Sequence, residues 1–139
     1  MQEEHIEFPE VTEKLWGSER NIVTNKEYTG KILNINPGFI SSIHAHEKKL
    51  ETFYVREGVV VLSFYRNGKE KTSVFGEIAA FGEYPLLEQT DYLLTPGMAI
   101  TIERKQYHSF KALSPAEVFE FSTPHADEDV DRLRESRPL

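Results

Sequence analysis

Short runs of β-branched and aromatic residues, cut at close intervals by glycine, proline and asparagine, constrain this chain more than any other feature. The runs fall at residues 30–35, 39–44, 52–56, 59–65, 71–75, 91–94, 99–102, 109–112 and 118–122. Turn residues separate them, notably Asn36-Pro37-Gly38, Asn67-Gly68 and Thr95-Pro96-Gly97, each suited to bending the backbone sharply. Asn67-Gly68 predicts a tight hairpin between residues 59–65 and 71–75. Many short strands at this spacing pack as a sandwich or barrel, so the expected class is all-β. The run Val59-Val60-Val61-Leu62 is apolar on both faces and needs cover on both. The N-terminal segment or a second subunit would provide it. Helix is expected only near the end, at residues 127–136, where acids precede bases as the helix dipole prefers.

Composition narrows the chemistry. The chain has 139 residues, enough for one domain with a substantial core. No long apolar run predicts a membrane span, and the acidic start lacks the basic and apolar regions of a secretion signal. Cysteine is absent, which excludes disulfides, thiolate metal sites and cysteine nucleophiles and fits a cytoplasmic location. The formal net charge is −7. Lys48, Lys49, Lys69 and Lys71 are interrupted by Glu47, Glu51 and Glu70, so no basic patch for nucleic acid is expected.

The most informative side chains are His44, His46, Glu51 and His108. Residues two apart in a strand share a face, so His44 and His46 point the same way. Glu51 opens the next run after a short turn, and His108 must arrive by tertiary folding. Each histidine alone has a bland explanation as a surface or hydrogen-bonding residue. Together, three imidazoles and a carboxylate form a donor set for one divalent ion: Mn, Zn, Fe, Ni or Co, with Mn or Zn favoured.

The spacing also carries a resemblance. Gly38, five residues, His44-Ala45-His46, four residues, Glu51, six residues and Gly58 resembles the first motif of the cupin superfamily. Gly97 to His108 resembles the second motif in part, with Glu103, Lys105 and Ala112 where proline, glycine and asparagine are usual. The resemblance implies a double-stranded β-helix, the jelly-roll cupin barrel, holding the metal through His44, His46, Glu51 and His108. It divides the single domain 1–139 into an arm of about 1–28, a barrel of about 29–123 and a tail at 124–139. Lys49-Leu50-Glu51-Thr52-Phe53 and Glu120-Phe121-Ser122-Thr123 resemble the D-lyxose isomerase-type cupins. Trp16-Gly17 and Ser122-Thr123-Pro124 resemble the type II mannose-6-phosphate isomerase group. These imply a sugar substrate, a homodimer, and Lys49 and Glu120 as catalytic residues.

Aldose–ketose exchange needs a base that moves a proton between neighbouring carbons and an electrophile at the oxygens. Glu120 is the candidate base. Alternation alone puts Phe119 and Phe121 inside and Glu120 in solvent; the resemblance turns Val118, Glu120 and Ser122 inward. Lys49 is the candidate donor, and near a cation its pKa is expected to fall. The aromatics Phe39, Phe53, Tyr54, Tyr107, Phe110, Phe119 and Phe121 are expected in the core, with Tyr107 a possible pocket residue. The insert at 76–90 is expected to cover the barrel or join a dimer, and His125 with Asp127, Asp129 and Asp131 to form a polar lid. Fold does not fix function, and two alternatives stand beside a sugar isomerase or epimerase. One is an Fe(II)-dependent dioxygenase; the other is a non-catalytic module that binds metal and sugar.

Overall fold

The computed structural model describes residues 6–67, 87–124 and 126–139. The described residues form β1 (Val11–Lys14), β2 (Gly17–Thr24), β3 (Thr29–Ile35), β4 (Phe39–Ile40), β5 (Ile43–His46), β6 (Glu51–Glu57) and β7 (Val60–Asn67). They continue with β8 (Leu87–Leu94), β9 (Ala99–Ile102), β10 (Tyr107–Ala112), β11 (Ala116–Ser122), β12 (Val130–Arg134) and β13 (Arg137–Pro138). A six-stranded sheet runs β1-β2-β3-β11-β6-β9, and a five-stranded sheet runs β12-β5-β10-β7-β8. All pairs between these strands are antiparallel. The two sheets are the two faces of a jelly roll.

Alternation along each strand decides what faces inward. Thr29, Lys31, Leu33 and Ile35 of β3 are buried, and Val118 and Glu120 of β11 likewise. The inward set changes character along the barrel. At one end it is apolar: Ile35, Val55, Val60, Leu62, Phe110 and Val118 join one core, with Trp16 edge-on to Phe110 at 4.9 Å. Toward the other end the same strands bury Lys31, Glu51, His108 and Glu120. A buried ion loses several kcal/mol of hydration, so such an end is built for chemistry rather than stability.

Glycine is obligatory at two turns. A Cβ on Gly17 (φ +151°) would meet the Asn34 carbonyl oxygen at 1.8 Å, and one on Gly58 (φ +80°) would meet that of Pro115 at 2.3 Å. Gly58 closes the first histidine frame, so the motif position is fixed by a close backbone approach.

Several expectations change in three dimensions. Residues 11–24, read as part of an arm, supply β1 and β2. The β2–β3 turn is set by Asn25, whose Oδ1 accepts from Glu27 N at 2.8 Å and Tyr28 N at 3.0 Å. The C-terminal helix is replaced by a 3₁₀ turn at Asp127–Asp129 and strand β12, which pairs with β5. An unpaired β5 edge offers hydrogen bonds along its whole length, and that outweighs a charge pattern with no apolar helical period. β7 pairs with β8 from Val60↔Leu94 to Asn67↔Leu87; residues 71–75 and 76–86, the expected hairpin strand and most of the insert, lie outside the described residues. Val60 and Leu62 face the core, while Tyr65 joins Ile43, Ala45 and Tyr107 in a second cluster against Leu133. Tyr107 therefore packs on the far face of the five-stranded sheet rather than in the pocket, and its hydroxyl donates to Asp131. Tyr54 and Phe121 are exposed.

Candidate metal centre

His44 and His46 lie on the inner face of β5, and β10 sets His108 directly opposite His44. The three imidazoles bring one ligand nitrogen each to within 4.8 Å of the others. Glu51, first residue of β6, reaches across from the other sheet. Its Oε2 lies 3.4 Å from His46 Nε2 and 3.9 Å from His108 Nε2. Ligands about 2.1 Å from a tetrahedral ion stand about 3.4 Å apart, the spacing that separates His46 Nε2 from Glu51 Oε2.

Local bonds fix the imidazole tautomers. His108 Nδ1 donates to the Gln106 carbonyl at 2.9 Å. His44 Nδ1 donates to the Ser42 carbonyl at 3.1 Å, with Ser42 Oγ at 2.9 Å. A carbonyl only accepts, so each Nδ1 carries the proton and each Nε2 keeps its lone pair. His108 Nε2 and Glu51 Oε2 are buried without a hydrogen bond. Two such acceptors facing one another need a proton or a cation between them, and the donor set fits a divalent metal.

The electrostatics agree. Burial lowers His108 to about 4. Burial, then the neighbouring His108 and His46, holds His44 well below its ordinary value. Both are neutral ligands at pH 7. Burial, and then the Glu120 carboxylate, pushes Glu51 up to about 8 against the pull of Lys49 and Lys31. A metal must displace that proton. Uptake of Mn²⁺ or Zn²⁺ is therefore expected to strengthen about tenfold per pH unit as pH rises from about 6 toward 8. Above 8 it should level off, and about one proton should be released per ion below 8. Calorimetry in buffers of different ionisation enthalpy checks both, and a flat profile would contradict the assignment of Glu51.

Glu120 and Lys49 complete the wall. Glu120 is 3% exposed and faces inward, correcting the alternation that placed it in solvent. Phe119 instead stacks on Tyr54 outside, ring centroids 6.1 Å apart. Lys49 Nζ is 2.9 Å from Glu120 Oε2 and 3.9 Å from Glu51 Oε1. Burial opposes the Lys49 charge, but Glu120 and Glu51 more than offset it, and its pKa is raised. With no metal in the site the shift is therefore upward, and the two carboxylates favour the ammonium.

Sequence reasoning missed the supports. Asp129 accepts from Lys48 N at 3.0 Å and Lys49 N at 3.2 Å, and Thr123 Oγ1 from Leu50 N at 3.0 Å, fixing the turn that delivers Lys49 and Glu51. Asp129 and Asp131 thus act singly rather than as a lid; His125 lies outside the described residues. Lys105 adopts φ +67°, so the second motif's turn forms without its usual glycine, with Lys105 N donating to His46 O at 2.6 Å. A cavity of about 640 Å³ opens on the site and is lined also by Lys14, Glu19, Lys31 and Arg132. No local signal marked Lys31 or Arg132, since neither lies in a motif.

The jelly roll with three histidines and a glutamate inside defines a cupin. The profile of the D-lyxose isomerase family matches residues 15–136, and the chain belongs to that family. Among curated proteins none matches significantly. Similar solved structures include KdgF from Halomonas sp., with TM-score 0.62 and 15% identity over 86% of this chain and 91% of that one. CapF from Staphylococcus aureus gives TM-score 0.66 and 15% identity over 94% of this chain and 31% of that one. Oxalate decarboxylase from Bacillus subtilis gives 0.67 and 15% over 90% and 30%. The chain therefore spans about a third of the latter two. At this identity the likeness concerns the fold. No helix among the described residues is long and apolar enough to cross a membrane.

Proposed function

We propose that the protein is a metal-dependent aldose–ketose isomerase of a sugar or sugar derivative, with Mn or Zn held by His44, His46, Glu51 and His108. The observation that carries this reading is the Lys49–Glu120 pair, 2.9 Å apart, buried in the wall of the cavity that the imidazoles line. The bound ion would supply a Lewis acid to polarise the substrate carbonyl. Glu120 would take the carbon-bound proton and return it to the neighbouring carbon. Lys49, held as an ammonium, would donate a hydrogen bond to a substrate oxygen and stabilise charge developing there. Asp129 and Thr123 would keep both groups of the 49–51 segment in register with Glu120. Exchange assayed across pentoses, hexoses and their phosphates with Mn²⁺ present tests the proposal; no turnover on the whole panel defeats it.

A homodimer belongs to the same reading. Ile22, Tyr28, Phe119 and Phe121 line an apolar hollow on the outer face of the six-stranded sheet. Exposed apolar faces of this kind favour association. Solution scattering is expected to return a dimer mass, and a monomer at micromolar concentration would refute it.

A further inference from the structure

Residues 129–139 run antiparallel along residues 38–49, the part of the first histidine frame that carries His44 and His46 and leads into Glu51. Leu139 N donates to the Gly38 carbonyl at 2.9 Å, and β13 pairs with β4 through Arg137↔Ile40 and Pro138↔Phe39. Strand β12 then follows β5, with Arg134↔Ile43, Arg132↔His44 and Val130↔His46 in register. Asp129 ends the run on the amides of Lys48 and Lys49. On its other side β5 meets β10 at His108↔His44. The strand that carries two imidazoles is thus bonded along one edge by a segment far away in sequence.

Ser41-Ser42 falls in the break between β4 and β5, so side chains do part of what a regular ladder would do. Ser41 Oγ accepts from Phe110 N at 2.8 Å and donates to the Ser42 carbonyl at 3.1 Å. Arg134 Nη2 donates to the Ser41 carbonyl at 3.4 Å. Ser42 is buried, and a buried backbone N–H needs an acceptor. Ser136 Oγ provides it, at 3.0 Å. The Ser42 carbonyl held in this way is the acceptor for His44 Nδ1 at 3.1 Å, the bond that orients the ring and leaves its Nε2 to ligate.

We infer that residues 129–139 preorganise the metal centre, with Ser136 a positioning residue that acts on His44 through Ser42. A ring already held in its ligating orientation loses less freedom when the ion arrives. The inference rests on the four-ligand metal assignment and not on the isomerase reaction. Titration of the full chain with Mn²⁺ or Zn²⁺ alone tests it. Ser136→Ala should weaken binding by about tenfold or more, and Ser136→Thr, which keeps the hydroxyl, should restore most of the loss. Ser114→Ala is the matched control. Ser114 Oγ likewise accepts from a backbone amide, Val59 N at 3.0 Å, but does not line the metal cavity. It should leave metal affinity unchanged, whatever it does to thermal stability. A reciprocal readout needs no variant. Strand β12 supplies no ligand, yet its amides, with those of Ser42, Lys48 and Lys49, should exchange about fivefold or more slowly once the ion is bound. Ser136→Ala at parent affinity, Ser114→Ala as damaging as Ser136→Ala, or β12 exchange that ignores the ion overturns the inference. A parent chain that takes up neither ion removes the metal assignment, and this inference with it.

Discussion

Glu120→Gln is expected to lower kcat for aldose–ketose exchange by about 10²–10⁴-fold while metal content stays at one ion per chain. Glutamine fills the same volume and can still accept from Lys49 through its amide oxygen, so the wall keeps its shape. It cannot take a proton from carbon. Glu120 lies 2.9 Å from Lys49 and is not among the three clustered imidazoles, which is why the change should separate chemistry from metal binding. Solvent deuterium wash-in at the substrate carbon gives a second readout, expected to disappear together with turnover. A variant within threefold of the parent enzyme would remove Glu120 from the mechanism.

His108→Ala is expected to weaken divalent-ion binding by more than about 100-fold and to abolish turnover at micromolar metal. His108 is 1% exposed, and its Nε2 has no hydrogen bond, so it is spent on nothing else in the cavity. Its Nδ1 bond to Gln106 holds the ring ready in the metal-free protein. Removing the ring also relieves one of the neighbours that depress His44. The metal-free variant should therefore fold, and far-ultraviolet circular dichroism should be unchanged. Stoichiometric metal retained through dialysis by His108→Ala would end the assignment of this ligand.

The fold and the metal cluster were legible for different reasons. Strand positions follow from alternation and turn residues, which act over a few neighbours. The cluster follows from spacing: His44 and His46 share a strand face, and Gly58 must be glycine because its backbone touches Pro115. What was misread depended on partners far away in sequence. Glu120 points inward because its neighbours in register are Lys31 and Phe53, against an alternation that two phenylalanines made ambiguous. In the metal-free site two carboxylates push Lys49 up, and one of them, Glu120, is far away in sequence.

The amino-acid sequence by itself determined that the chain is a β barrel and pointed to its clustered histidines, since both are written in short-range patterns of two-residue alternation and fixed motif spacing. Only the tertiary structure decided that residues 130–134 are a strand, that Asp129 and Thr123 clamp the 48–50 turn, and that Lys31 and Arg132 share a cavity with the imidazoles. Each of those depends on edge pairing and burial between segments distant in the chain, and such contacts acquire their energies only once the sheets have closed.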